Sequence, residues 1–222
     1  MRVGLFCLTA AFALLSSGGS ALATLVYDME GTPPPSGFEA NGVVSVTQST
    51  IGVTQGVNSM RVDTQGSTFV GAITPIVPAA LNNPPGVQSI LLDLTINEGE
   101  QFTGGFADMG VTIFGCKGAT CGLSAQFADF ESIGALTPGT YLDRKFDLAL
   151  SIGPNFPGKS FNQIIAGGDL DVVTHFQLYF NQSFNAPMIA YIDNIRTVVP
   201  EPTSMLLFVS AAAVGLVVRR RA

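Results

Sequence analysis

The sequence predicts an all-β domain built from two packed antiparallel sheets. Apolar and polar residues alternate in stretches such as 90–96, 146–152 and 176–180, which is the pattern of a strand with one buried face. Clusters of Gly, Pro and Asn separate these stretches, and no segment between the two ends of the chain has helical periodicity. Strands joined by turns, without intervening helices, favour two sheets packed face to face.

We expect ten strands in this domain. The first begins at Leu25 and ends before the turn-rich sequence GTPPPSG, and the last contains the sequence AYIDNIRTV. Period-two runs between Gly, Pro and Asn clusters define the others. The predicted ranges are 25–30, 42–48, 59–64, 68–73, 88–97, 106–115, 122–131, 145–152, 172–181 and 188–197.

Residues 1–23 have the organisation of a secretory signal peptide. Arg2 precedes an apolar run that ends at Leu15, and small residues then lead to Ala21-Leu22-Ala23, an A-x-A cleavage site. This order predicts cleavage after Ala23. An uncleaved membrane anchor is the alternative, although the apolar run is short for spanning a bilayer.

Residues 199–222 contain a short apolar segment between two prolines and three arginines. The segment 203–218 would be about 24 Å long as a helix, which is marginal for a transmembrane helix in a hydrocarbon core of about 30 Å. The basic cluster Arg219-Arg220-Arg221 predicts a cytoplasmic C-terminus and a domain on the other side of the membrane. Pro200 and Pro202 keep Glu201 in an extended, accessible stretch.

The tripeptide Pro200-Glu201-Pro202, the apolar segment and the arginine cluster together resemble the PEP-CTERM sorting signal of Gram-negative bacteria. The resemblance implies processing near the Pro-Glu-Pro by an exosortase, a membrane transpeptidase. It also implies transient anchoring in the inner membrane, followed by transfer to the cell surface or the extracellular matrix. A plain C-terminal membrane anchor is the alternative.

The segment between the two end regions is strongly acidic. Thr24 to Val199 contain six Lys and Arg against fifteen Asp and Glu, a net charge of −9. This balance excludes nucleic acid as a partner, because phosphate binding relies on Lys and Arg. It also argues against docking on anionic lipid.

Cys116 and Cys121 are the only cysteines left after signal cleavage. They lie in the glycine-rich sequence FGCKGATCG between two predicted strands, and an oxidising compartment favours a structural disulfide there. A zinc site would need further His or Cys ligands nearby, and the single histidine, His175, is distant in sequence.

Three short motifs carry a second resemblance. LVYDMEG, GVTQGVNSMRVD and AYIDNIRTV occur in the order found in the galactose-binding-type β-jelly roll of many carbohydrate-binding modules. The resemblance implies a jelly-roll sandwich over residues 24–198 whose first and last strands pair. It also implies one structural calcium ion, with Glu30 and Asp193 as ligands and carbonyl oxygens from 55–59. The alternative is that both residues are ordinary carboxylates at the edge of a sheet.

The fold implied by this resemblance leaves two classes of function open. The first is a non-catalytic surface or matrix protein that binds extracellular polysaccharide. Such modules generally stack sugars on Trp or Tyr, and this chain has no Trp and four Tyr. Tyr179 is the best candidate platform, with Gln177 and Asn181 beside it for hydroxyl contacts. The alternative for these residues is a solvated sheet face without a ligand.

The second class is a glycan-degrading enzyme. Asp129 and Glu131 would project from one strand face about 7 Å apart, a separation that suits the carboxylate pair of a glycosidase. His175 and Tyr179 share a predicted face and have the residue types of a base and an acid in a lyase, but no arginine neighbours them in sequence. The sequence contains no nucleophile elbow, phosphate loop or clustered metal-binding histidines.

Overall fold

Two β-sheets face each other in the structure, a computed structural model that describes residues 22–31, 37–43, 45–64, 70–82, 87–102, 104, 106–128, 133–182 and 188–199. Residues Ala23–Val199 form one compact unit. The signal residues 1–21 and the sorting segment from Pro200 onwards lie outside the described residues, so the predicted end segments stay predictions. The predicted cleavage point after Ala23 falls within the first strand.

Within the described ranges the chain forms eleven strands, one α-helix and two short 3-10 helices. The strands are β1 (Leu22–Tyr27), β2 (Glu39–Asn41), β3 (Ser45–Ser49), β4 (Ser59–Asp63), β5 (Val70–Thr74), β6 (Ser89–Ile96), β7 (Ala107–Lys117), β8 (Thr120–Ala128), β9 (Gly139–Asp147), β10 (Val172–Gln182) and β11 (Ile189–Val199). The α-helix is α1 (Phe161–Ala166), and the 3-10 helices are Ala79–Asn82 and Ile133–Ala135.

The strands divide into a six-stranded and a five-stranded sheet. The first sheet has the order β3-β4-β11-β6-β9, with β1 also paired to β11. The second has the order β2-β5-β10-β7-β8. This arrangement confirms the predicted all-β sandwich of two antiparallel sheets. It also confirms that the first strand pairs with the last.

The hydrophobic core lies between the two sheets because alternate residues of the central strands face the space between them. In β10, for example, Phe176, Leu178 and Phe180 belong to the core, while the residues between them lie on the opposite side. Burying one such side chain contributes about 1.5–3 kcal/mol. The strand register is therefore well determined, since a slip of one residue would exchange the two faces. Candidate binding residues lie on the outer faces.

Strand β9 lies earlier in the chain than predicted. The alternation at 145–152 suggested a strand there, but β9 ends at Asp147 and the chain turns. The turn leaves Leu150 and Ile152 about half exposed, whereas Ser151 is buried. The backbone N–H of Ile152 donates to the carbonyl of Gln126 at 2.8 Å, so this segment covers the open edge of β8. The hydrogen bond to β8 therefore replaces the pairing that a continued β9 would make.

Helix α1 and strand β2 were not expected from the sequence. In α1 the Ser160 hydroxyl accepts from the backbone N–H of Gln163, and the Gln163 side chain accepts from the backbone N–H of Ser160. This capping box stabilises a helix that buries Phe161 and Ile164. Six residues are too few for a visible helical period, but the Ser-x-x-Gln spacing was a usable signal. β2 has only three residues.

In the described part of the chain, no helix has the length and apolar character that crossing a membrane requires. The predicted transmembrane segment 203–218 lies outside that part.

Candidate functional site

The outer face of the five-stranded sheet carries the residues that the sequence assigned to sugar binding. Cross-strand pairing places them in rows that run over neighbouring strands. The central rows are Glu39–Ile73–Gln177–Thr112–Gln126 and Asn41–Gly71–Tyr179–Gly110–Ala128. The flanking rows are Asn181–Asp108 and His175–Phe114–Ser124. We call these residues the polar face; Gln177, Tyr179 and Asn181 lie next to one another on it, on β10.

Tyr179 lies flat on the polar face. A Cβ atom at Gly110 would overlap its ring, and a Cβ atom at Gly71 would overlap the carbonyl of Leu178. Gly110 thus makes room for the ring, whereas Gly71 allows the backbones of β5 and β10 to approach closely. The Tyr179 side chain is only 3% exposed, so in this position it offers no open surface on which a sugar could stack.

The Tyr179 hydroxyl serves instead as an internal contact of the face. Burial raises the pKa of this hydroxyl to about 12, a hydrogen bond with the Gln126 side chain acts in the opposite direction, and the charge of Asp108 raises it further. The hydroxyl therefore stays protonated at neutral pH and holds the Gln126 amide in place.

The accessible polar groups lie around this buried centre. Gln177 and Thr112 belong to the buried centre itself, since they are only 3% and 7% exposed. Their neighbours Gln126, Asn181 and His175 are partly exposed. The face thus presents amide, hydroxyl and imidazole groups, which can both donate and accept hydrogen bonds.

The described polar face does not assemble the predicted catalytic pairs. His175 and Tyr179 share the face, as expected, but they lie four positions apart on β10, about 14 Å at the usual rise. Asp129 and Glu131 lie outside the described residues, so the glycosidase hypothesis that rests on them stays untested.

The predicted calcium ligand Glu30 binds a loop that crosses from β3 to β4. Its Oε1 accepts from the backbone N–H groups of Val57 and Asn58 at 2.6 and 2.9 Å, and its Oε2 accepts from the Asn58 side-chain amide at 2.9 Å. The two backbone hydrogen bonds lower the pKa of Glu30. Gly56 must lack a side chain because a Cβ atom there would overlap the Glu30 carboxylate.

The second predicted ligand, Asp193, is fully buried and binds an earlier part of the same loop. Its Oδ2 accepts from the backbone N–H groups of Thr54 and Gln55 at 2.7 and 2.8 Å, and it lies 3.0 Å from the Thr54 hydroxyl oxygen. Its Oδ1 accepts from the backbone N–H of Asn194 at 2.7 Å. The loop therefore offers hydrogen-bond donors to both carboxylates.

Sequence reasoning missed a second buried carboxylate, Asp93, directly opposite Asp193 on β6. Its Oδ1 accepts from the backbone N–H of Asp143 at 2.9 Å and from the Arg196 guanidinium at 2.8 Å. Its Oδ2 accepts from the Thr54 hydroxyl at 2.6 Å. Hydrogen bonds and the Arg196 charge lower the pKa of Asp93 against the opposing effect of burial, which is the largest of these influences. A charged residue within the apolar run LLDLTI was the available signal.

Asp93 also fixes two irregularities in the sheet. Strands β9 and β11 each shift register beside it, and Asp143 and Asn194 adopt positive φ angles of 57° and 52° there. Asp93 accepts from the backbone of the first and from the side-chain amide of the second, at 3.0 Å. Such backbone conformations cost about 1 kcal/mol or more each, and persist where surrounding contacts hold them.

The described contacts around Glu30 and Asp193 do not fit a calcium ion. Calcium takes six to eight oxygen ligands, whereas the loop presents N–H groups to these carboxylates. The Asp193 Oδ2 atom already accepts from two backbone N–H groups, and Glu30 and Asp193 share none of their donors. In the described residues, no group of three His, Cys, Asp or Glu side chains is arranged to hold a metal.

Cys116 and Cys121 form the predicted disulfide, which closes the hairpin between β7 and β8. Asp171 holds the tip of the hairpin, since its carboxylate accepts from the backbone N–H of Gly118 at 2.7 Å and from Lys117 Nζ at 3.0 Å. The disulfide is therefore part of the framework of the five-stranded sheet.

Comparison with known proteins identifies neighbours in fold only. No family model and no curated protein matches the chain. Among solved structures, the CBM22-1 xylan-binding domain from Paenibacillus barcinonensis is 14% identical, with a TM-score of 0.48, and the match covers 82% of this chain and 97% of that one. A family 11 carbohydrate-binding module of a Clostridium thermocellum cellulosomal cellulase is also 14% identical, with a TM-score of 0.48 and coverages of 81% and 95%.

A family 11 module from Clostridium thermocellum, in complex with a β-1,3-1,4-mixed-linked tetrasaccharide, is 17% identical with a TM-score of 0.45, and the match covers 81% of this chain and 97% of that one. All three of these solved structures are carbohydrate-binding modules. The likeness concerns the arrangement of strands, and no ligand or site residue is carried over from these proteins.

Proposed function

We propose that this chain is an exported, non-catalytic polysaccharide-binding protein whose binding surface is the polar face. The observation that supports this most directly is the group of partly exposed, uncharged polar side chains on strands β8 and β10, Gln126, Asn181 and His175, which surround the buried Gln177 and Thr112. Amide and hydroxyl groups held in register suit a ligand that presents regularly spaced hydroxyl groups. The Tyr179 hydroxyl contributes by holding Gln126, not by stacking.

A binding role is favoured over a catalytic one by the spacing of acidic groups. Among the described residues of the polar face, only Glu39 and Asp108 carry carboxylates. They lie three strands and four residues apart, about 20 Å at the usual sheet spacings. The two carboxylates of a glycosidase lie about 5–10 Å apart, so these two cannot cooperate on one glycosidic bond.

Binding is tested by affinity electrophoresis of the full-length chain in gels containing soluble polysaccharides. Gln126→Ala and Asn181→Ala remove hydrogen-bonding groups from the polar face and are expected to weaken retardation. Gln55→Ala removes an exposed amide on the side of the other sheet and serves as the control. Retardation that is equal in all three variants, or absent with every polysaccharide, would refute the proposed surface. Release of new reducing ends in the same mixtures would support the enzyme alternative.

The sequence supports the export part of the proposal. The signal peptide 1–23 would direct the chain out of the cytoplasm, and the segment 199–222 would hold it in the inner membrane until an exosortase acts near Pro200-Glu201-Pro202. The protein would then reach the cell surface or the matrix of a Gram-negative bacterium. Mass spectrometry of the mature protein tests this; it is expected to begin at Thr24 and to lack Arg219-Arg220-Arg221.

Calcium at Glu30 and Asp193 stays a prediction of the sequence resemblance alone. It is tested by thermal unfolding of the full-length chain with millimolar calcium and with chelator. A ligand that binds only the native state raises the midpoint. A midpoint that calcium raises would support the site, and equal midpoints in the two conditions would remove it, in keeping with the N–H groups that already contact both carboxylates.

A further inference from the structure

The positive charges of the body are all placed away from the polar face. The six Lys and Arg residues between Thr24 and Val199 all lie in the described ranges. Four of them belong to the six-stranded sheet or its edge strand β9, and Lys159 lies in the loop before α1. Lys117 ends β7, but its Nζ is 3.0 Å from Asp171 at the hairpin tip. The six residues are Arg61, Lys117, Arg144, Lys145, Lys159 and Arg196.

Most of these cations are also engaged in ion pairs elsewhere. Arg61 pairs with Asp63 at 3.3 Å, Lys159 with Asp169 at 2.6 Å, and Arg196 with both Asp93 and Asp143 at 2.8 Å. Arg144 is 8% exposed on β9. None of the six Lys and Arg side chains in the described residues is therefore positioned to neutralise a uronate, sulfate or phosphate group bound at the polar face.

The polar face does carry negative charge. Asp108 is partly exposed and lies beside Asn181 across the β7–β10 pair, and Glu39 is exposed on β2. Neither carboxylate forms an ion pair with another described residue. The charge of Asp108 reaches the centre of the face, because it contributes to the raised pKa of Tyr179.

We infer that the ligand is a polysaccharide containing positively charged amino sugars. This inference rests on the proposed function, which it makes more specific. An ammonium group placed at Asp108 would donate hydrogen bonds to the carboxylate and gain Coulomb energy, while the neighbouring, partly exposed Asn181 amide contacts ring hydroxyls. An anionic polysaccharide bound at the polar face would meet only the like charges of Asp108 and Glu39, in a domain of net charge −9.

The experiment compares two ligands that share one backbone, a charged and an uncharged form, with a third ligand that is anionic. Full-length chain in neutral detergent is titrated by calorimetry with glucosamine oligosaccharides and with their N-acetylated, uncharged forms; oligogalacturonate is the anionic ligand. Expected results are tightest binding of the amine form at low salt, loss of that advantage as salt screens it, and no binding of the anionic form. An amine form that binds no better than the acetylated form overturns the inference and leaves the proposed function standing, whereas no binding of any ligand contradicts both.

Variants locate the charge effect. Asp108→Asn is expected to weaken binding of the amine form about threefold to fivefold, in keeping with one exposed ion pair, and to leave the acetylated form unchanged. Asp147→Asn removes the same charge from β9 of the other sheet and is expected to change neither. Equal losses in both variants would mean that only the net charge matters, and the assignment to the polar face would be wrong. Circular dichroism of both variants confirms folding.

Discussion

Replacing Arg196 by glutamine removes the only cation that contacts Asp93 among the described residues. The guanidinium Nη2 lies 2.8 Å from Asp93 Oδ1 and 2.8 Å from Asp143 Oδ1, and the Asp93 side chain is only 4% exposed. Breaking a buried ion pair by removing one partner costs about 3–5 kcal/mol, because the remaining charge stays buried without its counter-charge. Asp93 keeps hydrogen bonds from Thr54, Asp143 and Asn194, so we expect the lower end, about 3 kcal/mol.

The measurement is urea unfolding of the disulfide-intact protein at pH 7, with a double-mutant cycle. Asp93→Asn combined with Arg196→Gln is expected to recover part of the loss, because no unpaired charge then remains. The control is Arg61→Gln, whose partner Asp63 is partly exposed, and for which a loss below about 1 kcal/mol is expected. A loss in Arg196→Gln as small as in the control, or purely additive effects in the cycle, would refute the reasoning.

The remaining predictions concern three separate features. The Cys116–Cys121 disulfide closes only a short loop, so its reduction is expected to lower the free energy of unfolding by about 2 kcal/mol, measured by unfolding with and without reductant. Gly110→Ala is expected to push the Tyr179 ring off the sheet and lower the pKa of its hydroxyl from about 12 towards 10, as measured by ultraviolet titration. Because hydrogen bonds lower the pKa of Glu30 in the folded state, ionised Glu30 stabilises the fold above pH 4.5, and this stabilisation is lost as the pH falls through the folded pKa. In Glu30→Gln the free energy of unfolding should therefore fall less steeply as the pH is lowered below 4.5.

Each of these predictions has a control or a contrary outcome. Gly104→Ala places a methyl group in open space and is expected to leave the tyrosine titration unchanged. An unchanged titration in Gly110→Ala as well would mean that the ring does not rest on that glycine. Equal stability of oxidised and reduced protein would show that Asp171 alone fixes the hairpin tip. If the free energy of unfolding falls equally with pH in Glu30→Gln and in the unchanged protein, other carboxylates cause the loss of stability in acid.

The two-sheet fold could be predicted because it depends on repeated local patterns. In long strands such as β6 and β10 large apolar residues recur at every second position, and cysteine spacing in an exported chain indicated the disulfide. Strand β9 was misplaced because alternation at 146–152 is compatible with both a strand and a turn. Hydrogen bonds to the distant strand β8 decide between them, and no local pattern encodes those bonds.

The sequence predicted three residues of the polar face, Gln177, Tyr179 and Asn181, but neither their neighbours Thr112, Gln126 and Asp108 nor the geometry of the face. Alternation along β10 correctly grouped Gln177 and Tyr179 on one side of the sheet. It could not show that Gly71 and Gly110 flank the tyrosine, because those residues come from strands that are remote in sequence. The same limit concealed the Asp93–Arg196 pair, in which two residues 103 positions apart meet across a pair of strands. A single sequence gives little indication of which residues of two distant strands will lie opposite each other.

The pairing of β1 with β11 has a use in protein engineering. Both ends of the compact unit Ala23–Val199 belong to neighbouring strands of one sheet, so a glycine-serine linker no longer than these strands can join them without crossing the domain. New termini can then be opened at the exposed turn 157–159, which follows the segment that covers β8. Such a circular permutant would carry the polar face on a chain free of both end regions, and would allow a reporter to be fused on the side of α1.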